Sequence, residues 1–131
     1  MPAATGHSGL MLLFRNTGSA ACTLTGYPGA NLVTSTGHQV PVPRTPQGFM
    51  GGISPQAKVD PTVHLAPGQQ ASAVLEGEDF NPKGGGPCPQ YSILLVTPPN
   101  THRSTKFTRA VSLCDPQIHP VVPGTSGRQG S

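Results

Sequence analysis

Apolar residues in this chain come in short alternating runs, each cut off by glycine or proline before it grows long. Leu10, Leu12 and Phe14 fall on one face of an extended segment and Met11, Leu13 and Arg15 on the other, which predicts a strand over 10–15. Being apolar on both faces for most of its length, that strand is expected to be central in its sheet. Asn16-Thr17-Gly18 makes a turn, Cys22-Thr23-Leu24 a short strand, and Gly26-Tyr27-Pro28-Gly29 a second turn with an aromatic anchor. Strands follow at 30–35 and 38–42. Pro41 confines the second to a sheet edge, because it has no N–H for a ladder. The runs 62–65 and 71–76, joined through Pro67-Gly68, read as a hairpin. Further strands at 91–97 and 105–113, and a last one over 118–122, complete the pattern.

Two long loops interrupt it. Residues 43–61 carry Phe49, Met50 and Ile53. Exposed, these three would form an apolar patch; folded back, they would cap an open end of the core, which is the commoner arrangement. Residues 78–87 form the other loop, with Gly84-Gly85-Gly86 at its tip. About seven to nine short strands with turns every 8–12 residues predict an all-β, immunoglobulin-like antiparallel β-sandwich. The expected organisation is one domain over 9–122, flanked by disordered segments at 1–8 and 123–131.

Composition changes this picture little. With 17 glycines and 16 prolines in 131 residues, long helices are excluded while short strands joined by turns are not. Disorder is the rival reading at this glycine and proline content, and the recurring alternation argues against it within 9–122. The formal charge of +3 is spread thinly, and none of the six Phe and Tyr residues sits in a basic run. A nucleic-acid surface would cluster cations and interleave aromatics, so no nucleic-acid partner is expected. No apolar run approaches the ~20 residues of a membrane span. The chain does not open with a signal peptide's basic segment and apolar core, so it is either cytosolic or begins downstream of a removed export signal.

The cysteines are Cys22, Cys88 and Cys114, an odd number without Cys-x-x-Cys spacing, which argues against zinc. Cys88 and Cys114 both stand at strand edges, where neighbouring strands bring Cα atoms within bridging distance. Their disulfide would close a loop of 26 residues, worth roughly 3.5 kcal/mol in the chain-entropy account. Three readings of Cys22 stand open: a buried thiol acting as a small hydrophobe, a nucleophile, or a cysteine whose partner lies outside this chain.

Catalytic and metal chemistry find little support. Glu76, Glu78 and Asp79 are neighbours at a loop edge, the usual setting of a solvated face. His7, His38, His64, His102 and His119 fall in separate elements without metal-ligand spacing, so neither a metal nor another cofactor is expected. No nucleophile elbow occurs, and Lys83-Gly84-Gly85-Gly86 lacks the ending and the helix of a phosphate cradle.

The block Asn16-Thr-Gly-Ser-x-x-Cys22-x-Leu-x-Gly26-Tyr-Pro-Gly29 is the most specific in the chain. Together with Leu65-Ala-Pro-Gly68, Cys88, Val96-Thr-Pro-Pro99 and Cys114, it resembles the actinobacterial domain of unknown function 4232 over about residues 9–124. The resemblance implies an exported lipoprotein or secreted protein of actinobacteria, mycobacteria included. It implies a further cysteine upstream, on a first strand, pairing with Cys22. It transfers no catalytic residues. The expected function is therefore a non-catalytic, monomeric, extracytoplasmic module of the cell envelope, binding an envelope protein, glycan or lipid through the 43–61 and 78–87 loops. The alternative is a metal-dependent or hydrolytic enzyme using His64 or His102 with Glu76.

Overall fold

The computed structural model describes residues 3–4, 6–81, 84, 86–99 and 103–130, and all regular elements among them are strands. In chain order these are β1 (Ala3–Ala4), β2 (His7–Arg15), β3 (Cys22–Thr25), β4 (Gly29–Val33), β5 (Gln39–Pro41), β6 (Thr62–Leu65), β7 (Gln70–Glu78), β8 (Gln90–Thr97), β9 (Thr105–Ser112), β10 (Cys114–Ile118) and β11 (Val122–Pro123). Nine of the eleven have three residues or more. Every strand ladder is antiparallel. Among the described residues, no helix is long and apolar enough to cross a membrane.

The chain forms an all-β sandwich. One sheet runs β1-β2-β7-β10, with β11 also beside β7; the other runs β5-β4-β8-β9; β3 and β6 form a short separate pair. Side chains alternate across each strand, and the inward sets meet. Leu10 and Leu12 of β2, Ala73 and Leu75 of β7, Leu32 of β4 and Leu94 and Val96 of β8 are buried in one core with Val63, Leu65 and Val111. The small residues Ala71 and Ala73 oppose Phe14 and Leu12 in register, so large and small side chains interdigitate.

Expectations need correction at the hairpin, the last strand and the two termini. The runs 62–65 and 71–76 are not a hairpin: β6 pairs with β3, while β7 pairs with β2, β10 and β11. Asn16 is the reason. Its side-chain amide donates to the Leu65 carbonyl at 3.0 Å and to the Ala20 carbonyl at 2.8 Å, and its backbone exchanges bonds with the 68–69 turn. The chain is thus clamped at Leu65, and β6 pairs with β3 instead of folding back on β7. The expected strand over 118–122 is two strands, β10 and β11, separated by His119, Pro120 and Val121.

The segment 123–131, expected to be disordered, is instead packed over 123–130. Gly127 is buried, its N–H donates to Ser72 Oγ at 2.8 Å, and Gly52 exchanges backbone bonds with Gly127 and Gln129 at 2.9 Å. β2 lies between β1 and β7, and among the described residues β1 pairs with it at His7 and Ser8. Both faces of β2 are apolar because residues 46–54 and 124–129 lie over the sheet's outer face as a third layer. Gly51 and Gly127 approach Val74 there, and Met50 approaches Gly9. At the N-terminus, where disorder was expected over 1–8, β1 and the start of β2 are ladder-paired.

Candidate functional site

The alternation of β7 aims Ala71, Ala73 and Leu75 into the core and Ser72, Val74 and Glu76 the other way. Glu76, expected on a solvated face, is 1% exposed beneath the third layer. There it meets His119, which is fully buried, with Nε2 2.6 Å from Oε2. The backbone N–H of Phe49 donates to Oε1 at 2.9 Å, and that of Met50 reaches both carboxylate oxygens at 3.0–3.1 Å. Burial pushes the Glu76 carboxyl up. The hydrogen bond from His119, the Met50 N–H, the His119 charge and the Phe49 N–H outweigh burial and hold it below its ordinary value.

On its far side, His119 Nδ1 lies 2.9 Å from the Thr45 carbonyl and 3.1 Å from Thr45 Oγ1, which itself donates to Gln117. The hydrogen-bond inventory closes when both ring nitrogens of His119 donate, one to Glu76 and one to Thr45. Gly48 permits the loop's approach: a Cβ there would sit 2.7 Å from His119 Nε2 and 2.8 Å from Glu76 Cδ. The buried pair is thus a latch that ties the 43–54 loop to β7.

The loop residues singled out from sequence are separated by this arrangement. Ile53 is buried, Met50 half-buried, and Phe49 is 58% exposed, with its ring stacked on His7 at a centroid distance of 4.1 Å. They form neither a common patch nor a cap on an open end of the core. His64 is exposed on β6, and the carboxylate's histidine partner is His119. His102 lies outside the described residues, as do Pro82, Lys83 and Gly85 of the 78–87 loop. Among the described residues, no three His, Cys, Asp or Glu side chains converge as a metal site.

Cys88 and Cys114 are bonded, with Cα atoms 5.0 Å apart. The bridge ties the segment entering β8 of one sheet to the start of β10 in the other. Cys22 is free and exposed on β3, which overturns its reading as a buried hydrophobe.

Residues 10–14 of β2, Leu94 and Val96 of β8, Pro98, and Thr105, Phe107 and Arg109 of β9 line a groove of about 350 Å³. Five consecutive β2 residues line it, so the backbone edge itself faces the groove, not just one side-chain face. On β9, Thr105, Phe107 and Arg109 line the groove and are exposed. Sequence reasoning missed it, because a groove between strands depends on pairing that local alternation does not name.

The family model described as "Domain of unknown function (DUF4232)" matches residues 1–123 of the chain. No curated protein and no solved structure matches it.

Proposed function

The chain belongs to the family of domain of unknown function 4232, and from that premise we propose that it is a non-catalytic binding module of an extracytoplasmic, cell-envelope protein. The groove between β2 and the β8–β9 face carries the reading: it is apolar, open, and lined by residues 10–14 of β2 together with Leu94, Val96 and Phe107. Export is supported by the Cys88–Cys114 bridge, since disulfides persist in oxidising compartments. The exposed thiol of Cys22 fits a partner cysteine upstream, as the family resemblance implies. A non-catalytic role is supported by the Glu76–His119 pair, whose polar atoms bond to the protein itself beneath the loop. Binding thus belongs to the groove, and the 43–61 loop serves the fold.

The test is a set of ¹H–¹⁵N titrations of the oxidised chain with three probes: dihexanoyl phosphatidylglycerol, muramyl dipeptide, and a short extended peptide. The reading expects at least one probe to shift the amides of residues 10–14, 94, 96, 107 and 109 saturably, without being turned over. Shifts confined to the 43–61 loop, or none with any probe, would overturn it.

A further inference from the structure

We propose that Thr45 and Gln117 join to each other through an intramolecular ester, formed once per chain with His119 as the base and ammonia as the product. The reaction turns over no outside substrate, so it stands apart from the groove and is tested separately.

Two segments of the chain hold the reacting groups together. The Thr45 N–H donates to the Ile118 carbonyl at 3.0 Å and the Ile118 N–H to the Pro43 carbonyl at 2.9 Å, which fixes residue 45 alongside β10. Gln117 stands opposite Glu76 in register, and His119 follows two residues later, anchored by its own N–H on the Val74 carbonyl. Extended backbone turns Gln117 and His119 to the same side, the side of Thr45. A hydroxyl is thereby placed between an acyl group and an imidazole. Thr45 Oγ1 lies 2.5 Å from Gln117 Oε1 and 3.1 Å from His119 Nδ1.

A hydroxyl within hydrogen-bond reach of a base, with the base held by a third group, is the arrangement that makes a nucleophile. The third group is Glu76, 2.6 Å from the far ring nitrogen. Such a set ordinarily serves a substrate from solution. This one is covered: His119 is fully buried and Glu76 is 1% exposed, so the acyl group within reach is the side-chain amide of Gln117. An unactivated amide is a poor acyl donor, and holding it against its nucleophile supplies the approach that a bimolecular encounter lacks.

In the resting arrangement both ring nitrogens donate and the hydroxyl points to Gln117. The step begins when His119 releases its Nδ1 proton and the hydroxyl turns to that nitrogen. Oγ1 then attacks Cδ of Gln117: the Oγ1–Cδ bond forms and the Cδ–Nε2 bond breaks. The hydroxyl proton passes through Nδ1 to the departing nitrogen, which leaves as ammonia, and no oxidant or cofactor enters the balance. Thr45 and Gln117 are half-buried, which leaves ammonia a way out, and the covered side keeps water from the ester. The link spans 72 residues against 26 for the disulfide, so it constrains the unfolded chain more and persists under reducing conditions.

The test is the intact mass of the natively folded, oxidised full chain. It should be lower by one ammonia than the sequence with one disulfide. Tryptic digestion after reduction should leave peptide 45–58 joined to 110–128, and hydroxylamine, which cleaves esters and spares amides, should part them. Thr45→Val should keep the full mass, whereas Thr45→Ser, which restores a hydroxyl, should lose ammonia again. His119→Gln should slow the loss about a hundredfold or more. Glu76 acts through His119 as a positioning residue. Glu76→Gln should slow the loss about tenfold or more in chain that keeps its native amide spectrum, and Glu76→Asp should recover part of it. A full mass that persists in native wild type through prolonged incubation would overturn the proposal, whatever the variants do. So would ammonia lost with the two peptides still separate, a loss undiminished in Thr45→Val, or a link that survives hydroxylamine.

Discussion

At the scale of single residues, Glu76 has the largest consequences. It is a carboxylate among apolar neighbours, balanced by one imidazole and two backbone N–H groups. Removing one partner of such a buried pair leaves the other unpaired, so Glu76→Gln should cost about 3–5 kcal/mol at neutral pH, read from denaturant midpoints. The pH dependence follows from the depressed carboxyl. Its stabilisation is present above the ordinary value near 4.5 and is lost as pH falls through the lower folded value. Wild type should therefore lose stability on acidification from that region downward, and Glu76→Gln should show a shallower acid limb; parallel acid limbs would refute the linkage. Gly48→Ala places a Cβ against both members of the pair and should cost about 1–3 kcal/mol. None of this was legible in the sequence. The series Ser72-Val74-Glu76 has the same alternation whether water or a folded loop covers it, and no local signal names the cover.

At the scale of elements, strand positions were legible and their partners were not. Alternation marked β2, β7, β8 and β9, since period two is a local property of the chain. Pairing depends on where a turn sends the chain, and the Pro67-Gly68 turn was read as closing a hairpin. One side chain, Asn16, redirects it by capturing Leu65 O and Ala20 O. Asn16→Ala should leave those carbonyls unpaired and cost about 2–4 kcal/mol, whereas Thr17→Ala, exposed next door, should stay within about 0.5 kcal/mol. The segment 124–130 was misread by composition, because glycine and serine content looks the same in a flexible tail and in a close-packed strap. Gly127 holds φ +69°, and a Cβ there would lie 2.3 Å from Val74 Cγ2, so glycine is needed at that crossing. Deleting residues 124–130 should lower the melting temperature by several degrees; a neutral deletion would mean that the third layer contributes nothing.

At the scale of the molecule, the sandwich is a lopsided object. One outer face is sealed by the third layer, one disulfide joins the two sheets, and one side is left open between β2 and β9. The bridge between Cys88 and Cys114 was readable because both cysteines stand at strand edges. Replacing both with serine should cost about 2–5 kcal/mol, a drop of roughly 10–15 °C in Tm for a domain of this size. The open side was not readable, because which strands border a groove is a property of topology and no residue announces it. The account's central claim is that the loop and tail are part of the fold while residues 10–14 of β2 line an open groove. Native-state hydrogen exchange on the unliganded, oxidised chain tests it most directly. The account predicts that the amides of Phe49, Met50, Gly52, Gly127 and Gln129 are protected alongside β7, while the outward-facing amides of residues 10–14 exchange fast. Rapid exchange in the loop and tail together with full protection along β2 would contradict it.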